Sequence, residues 1–153
     1  MKNERKLGNK GFSLVELIVV IAIMVVLVAV LAPVFTRYIE RSRRATDVQN
    51  ANSIATSVIT DAASDELTAT SGEATPTNIK SIKSTPVAQG KVYKGHCFWY
   101  VFDADTNTCQ VYIADNVEGS ASASAGLDLT NSDNAKKYTD ATGSNDGSST
   151  TSP

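Results

Sequence analysis

The chain has 153 residues, 42% of them hydrophobic and 20% charged, a formal net charge of −2, one histidine and two cysteines. That length allows one domain of ordinary size with appendages, and the charge excludes a polyanion binder acting through bulk charge. Catalysis has little material to work with: there is no glycine-rich phosphate loop, and no paired carboxylates stand in an apolar setting.

Residues 1–11 form a short basic leader, with Lys2, Arg5, Lys6 and Lys10 set against Glu4; removing it would leave −5 from side chains. Lys10-Gly11-Phe12-Ser13-Leu14-Val15-Glu16 comes next, followed by a run from Leu17 to Ala32 without one polar side chain. Residues 14–35 as a helix would reach about 33 Å, enough for a hydrocarbon core of roughly 30 Å. Glu16 is the anomaly at the edge of this run. An ionised carboxylate at the centre of a membrane helix costs roughly 2.5–3.5 kcal/mol, so Glu16 needs a cationic partner. A cut between Gly11 and Phe12 would create one, because the new α-amino group, with a reference pKa of about 8, would lie four residues from Glu16.

A secretory signal fits this run poorly: the run is long for one, and the single plausible cleavage site, Val30-Leu31-Ala32, is followed by Pro33. A plain single-span anchor fits by length but leaves its orientation tied, since Lys2, Arg5, Lys6 and Lys10 on one flank balance Arg37, Arg41, Arg43 and Arg44 on the other. It also leaves Glu16 unexplained. Gly11-Phe12-Ser13-Leu14-Val15-Glu16-Leu17, behind a basic leader and ahead of an apolar helix, resembles the type IV prepilin signature, in its type IVa form. The resemblance extends to Pro33 and covers roughly residues 1–67.

The resemblance implies a precursor with a cytoplasmic N-terminus and a single pass through the plasma (inner) membrane, held there in lipid. A prepilin peptidase would cut after Gly11 and N-methylate Phe12. A membrane assembly platform would then pass the subunit into an extracellular helical filament of identical or related pilin subunits. Glu16 would set register by pairing with the Phe12 amine of a neighbour. Adhesion and motility are family roles; no feature of the sequence supports DNA binding. Pseudopilins of type II secretion or competence systems share this N-terminal half and form the alternative. A membrane-anchored binding or enzyme domain is the remoter one.

Pro33 removes a backbone donor and crowds the preceding turn, so it is expected to kink or loosen the helix without ending it. The basic knot at Arg37, Arg41, Arg43 and Arg44, offset by Glu40 and Asp47, reads as an interfacial anchor or as helix salt-bridge partners. From residue 36 to Leu67, Ile39, Ala45, Val48, Ala51, Ile54, Ala55, Val58, Ile59, Ala62 and Ala63 recur at helical spacing and predict an amphipathic helix. Thr68 to Gly72 and Pro76 stop it, and a loop runs to Asn78.

A small sheet head is expected over residues 68–118, with a weak strand at 78–84 and an antiparallel hairpin over 91–114. Its buried face would carry Phe98, Tyr100, Phe102, Val111 and Ile113, with Trp99 and Tyr112 on the other. A turn near Asp105 and Thr106 sets Phe102 opposite Cys109 and Cys97 opposite Ala114. That separates the cysteines unless the strand begins after Cys97 and the chain bends back. The resemblance implies a Cys97–Cys109 disulfide, because the family often has one in this half.

Asp103-x-Asp105-x-Asn107 has the opening spacing of a calcium loop, but Thr108 replaces the glycine and Ala114 the bidentate glutamate, so a polar turn is the reading preferred over a metal site. His96 is expected at a strand edge or turn. Residues 119–153, rich in Gly, Ser, Ala and Thr, are expected to form a mobile tail, with Leu127, Leu129 and Tyr138 able to add a short strand or turn to the head. The expected fold is therefore α+β: a long N-terminal helix, transmembrane in its first half and amphipathic in its second, packed on a small antiparallel sheet, with no cofactor.

Overall fold

A computed structural model of the chain describes residues 11–113 and 127–141. The leader up to Lys10, and the tail segments 119–126 and 142–153, lie outside the described residues. The elements in order are α1 (Leu14–Ala63), β1 (Ser71–Glu73), β2 (Phe98–Asp103), β3 (Thr108–Ile113), β4 (Leu127–Asp128) and α2 (Ser132–Asp140). The chain divides into two compact units between Thr36 and Arg37.

The first unit holds the apolar half of α1. Pro33 lies inside the helix without ending it, as its chemistry predicts, and the Thr36 hydroxyl donates to the Pro33 carbonyl at 3.0 Å. Every large apolar side chain from Leu14 to Phe35 is exposed, between 48% and 72%. α1 is long and apolar enough to cross a membrane.

In the second unit α1 ends at Ala63, four residues before the stop expected at Leu67. Asp65 takes the left-handed conformation (φ 58°), the Glu66 amide reaches back to the Asp61 carbonyl at 2.8 Å, and the Asp65 amide to that of Ala62 at 3.3 Å. That is a Schellman stop built on aspartate where glycine is usual.

The sheet is antiparallel with strand order β1-β2-β3-β4. The register of β2 on β3 sets Phe102 opposite Cys109 and Phe98 opposite Ile113, as the turn residues foretold. The turn closes because the Asp103 carboxylate accepts the Asp105 amide at 3.0 Å, while Asn107 takes a left-handed φ of 52°, which asparagine tolerates. Phe98, Tyr100, Val111 and Ile113 are fully buried and pack in one core with Ala51, Ile54, Ala55 and Val58 of α1. Each fully buried large side chain contributes about 1.5–3 kcal/mol, so truncating Phe98 would loosen sheet and helix together.

Elsewhere the expectations need correction. Residues 78–84 are turns, and Ile79 is buried within them as a plug. The strand lies earlier, at β1, where Gly72 pairs with Tyr100. The hairpin strand begins at Phe98, because residues 91–96 turn back so that Val87 can bridge Cys97. Ala45 and Ala63, assigned to the buried stripe, are exposed, and Phe102 is only half-buried. The short strand that Leu127 could add to the head is present as β4, paired with β3, whereas α2 after it was not expected; Asn131 opens it, its side chain accepting the Asp133 and Asn134 amides.

Candidate processing and assembly site

Gly11, Phe12 and Ser13 precede the helix in non-helical backbone. Phe12 is 89% exposed, and nothing lies within 4 Å of the position a Cβ on Gly11 would take. α1 starts at Leu14 because Ser13-Leu14-Val15-Glu16 forms a capping sequence. The Ser13 carbonyl accepts the Leu17 amide at 3.3 Å, and the Glu16 carboxylate reaches back to accept the Ser13 amide at 2.9 Å. In the uncut chain Glu16 therefore has a local partner. The Ser-x-x-Glu spacing could have revealed this cap from sequence, beside the search for a cation. Gly11, Phe12 and Glu16 are thus brought together at one end of an apolar, exposed helix, and Pro33 stands near the other end of that segment.

The remaining site candidates fall elsewhere. Cys97 and Cys109 are both thiols, so the disulfide implied by the resemblance is not made. The reason is the register: Cys97 precedes the strand residue paired with Ile113, whereas Cys109 faces Phe102. Burial, with Asp128 adding to it, pushes the Cys109 thiol up to about 12. Asp103 is held below the usual carboxylate range by the Thr106 side chain and the Asp105 amide, which occupy it within its own turn. No group of three or more His, Cys, Asp or Glu side chains converges among the described residues. His96 sits in the turn before β2, edge-on to the Tyr93 ring at 5.6 Å.

The basic knot is divided. Arg44 is 3% exposed: its Nε donates to Glu40 at 2.9 Å, and its guanidinium donates to the Tyr138 carbonyl at 3.1 Å and to the Ala141 carbonyl. Arg41 pairs on the surface with Asp140 at 2.9 Å. Only Arg37 and Arg43 of the four keep the exposed anchor role open.

Two buried aspartates fasten α1 to the head: Asp47, which the sequence offers only as a counter-charge to the basic knot, and Asp61, which it does not single out. Asp47 accepts the Gln89 amide at 2.7 Å, the Gly90 amide at 2.8 Å and the Tyr138 hydroxyl at 2.7 Å. A Cβ on Gly90 would run into that hydroxyl and lie 3.0 Å from the Asp47 carboxylate, so glycine is required there. Asp61 accepts the Ser81 amide at 3.1 Å and the Ser81 hydroxyl. Burial works to raise the Asp61 carboxyl, but the Ser81 bonds and Lys80 outweigh it and hold the group below its ordinary value. Glu40 is likewise lowered: burial opposes, while the Lys91 amide and Arg44 prevail. Tyr138 is pushed up by burial and by its bond to Asp47.

The family model for the prokaryotic N-terminal methylation motif matches residues 6–32, and this motif is the signal of type IV pilin-like prepilins. No curated protein and no solved structure matches the chain. The motif supports a precursor of the pilin or pseudopilin type and points to a structural protein. With the exposed apolar helix behind it, it is consistent with membrane anchorage of that precursor.

Proposed function

We propose that this chain is the structural subunit of a type IV pilus filament, made as a membrane-anchored prepilin, cleaved after Gly11, N-methylated on Phe12 and polymerised through α1. The observation that carries the reading is the pairing of an entirely exposed apolar half-helix with one carboxylate, Glu16, inside the stretch that the N-terminal methylation motif matches. Lipid covers such a helix in the precursor and neighbouring subunits cover it in a filament. Exchanging one apolar surrounding for the other yields little hydrophobic gain, so packing and specific pairs must decide register.

Glu16 supplies that decision. Its local partner, the Ser13 amide, is neutral. Cleavage creates a cation one residue upstream, and an ammonium gives the carboxylate a full opposite charge that the neutral amide does not. A subunit whose carboxylate meets the Phe12 amine of its neighbour is satisfied, and a misplaced one leaves a charge unpaired in apolar surroundings. Gly11→Val tests the first step: the chain should stay at precursor length on a gel beside an active peptidase, and a normally shortened product would refute the assigned cleavage point.

A further inference from the structure

The second unit carries a device independent of the filament reading. α2 has nine residues, below the roughly 12–15 at which an isolated helix becomes marginally stable, and Tyr138 is its only buried residue. The Tyr138 ring joins the core cluster and meets the Tyr93 ring at 6.1 Å, while the polar bonds of α2 to α1 are concentrated at its C-terminal end. Arg44 donates to the carbonyls of Tyr138 and Ala141, which places a cation where the helix leaves its acceptors unpaired. The same guanidinium lies 5.4 Å from the centre of the Tyr138 ring, whose hydroxyl reaches Asp47. The Arg41–Asp140 pair outside is exposed and adds little. The two cysteines of the chain, Cys97 and Cys109, lie outside α2, so no disulfide anchors it.

We propose that α2 is a strap that opens and closes on α1 as one unit, locked by Arg44 and Tyr138, while β2, β3 and the core behind them stay folded. Arg44, Asp47 and Tyr138 share partners, so lifting the strap hydrates all three at once and partial opening would strand a buried charge. The loop at Gln89 and Gly90, bonded to the same Asp47 carboxylate, opens with it. Local cooperative openings of this kind are read by hydrogen exchange.

The test is hydrogen exchange by mass spectrometry on the full chain in detergent micelles, with Arg44→Met and Tyr138→Phe beside the wild type, each with and without reductant. In the wild type, residues 132–141 and 89–91 should exchange together, faster than residues 98–113, and reductant should change nothing. Arg44→Met removes charge-assisted bonds and should speed both segments about tenfold or more, leaving 98–113 as before. Tyr138→Phe keeps the ring, loses the bond to Asp47, and should give the same pattern more weakly; it decides the matter alone if Arg44→Met does not fold. Equal exchange of 132–141 and 98–113 in the wild type would overturn the proposal. So would a rise across the whole unit in the variant that decides, or a change on adding reductant.

Discussion

The two halves of α1 invert the ordinary rule in opposite senses. From Leu14 to Phe35 the helix exposes leucine, isoleucine and valine to the outside, whereas further along it buries Arg44, Asp47 and Asp61. The first half is unfinished by itself and needs lipid or other helices. The second is closed on itself among the described residues: its buried charges find their partners within its own unit. On the proposed reading, such a division lets the head hold its shape while the apolar half moves from lipid to neighbouring subunits.

The sharpest way to break the comparison is at Glu16, the one charge of the unfinished half. Glu16→Ala should still be cut and still reside in the membrane, but filament recovered by shearing should fall at least about tenfold, since an unpaired amine next to apolar surroundings costs several kcal/mol. Wild-type yield from this mutant would remove Glu16 from the account. In the finished half, Asp47→Ala strands the Gln89 and Gly90 amides and the Tyr138 hydroxyl, and should lower unfolding stability of the full chain in micelles by about 3 kcal/mol. A loss below about 0.5 kcal/mol would show that the aspartate is no staple.

Acid should find the same half. Asp61 and Glu40 are lowered in the fold from ordinary values of 3.8 and 4.5, so each contributes stability that is fully present above those values and lost as the pH falls through its folded pKa. Asp61→Asn should flatten the acid limb of a stability profile, and an unchanged limb would contradict the assignment. The smallest effect is expected on the solvent face. Ser53 bonds only to the Gln49 carbonyl of its own helix, and Ser53→Ala should stay within about 0.5 kcal/mol of wild type in the same unfolding experiment.

How far the sequence reveals all this differs between regions for physical reasons. The N-terminal methylation motif was legible because Gly11 to Leu17 is dense and contiguous, and the hairpin register followed from turn residues next to strand formers. The burial of Arg44, Asp47 and Asp61 does not show in a periodicity of apolar residues alone. The stripe Arg44, Asp47, Ala51, Ile54, Val58 and Asp61 keeps steps of three and four throughout, and its polar ends belong to it. Hydrogen bonds to backbone amides far along the chain make their burial tolerable, and no local pattern announces those. α2 escaped notice because Ala135 and Tyr138 are its whole apolar content, although Asn131 at its start and Lys137 in its last turn are proper end signals. The stop at Asp65 was hidden because aspartate rarely takes glycine's place there.

The most direct test of the central claim is the intact mass and N-terminal residue of the protein in sheared cell-surface material. The account predicts a chain that begins with N-methylated Phe12, which would establish cleavage, export and assembly in one sample. A chain beginning at Met1 and confined to membranes, in cells with a working peptidase, would contradict it.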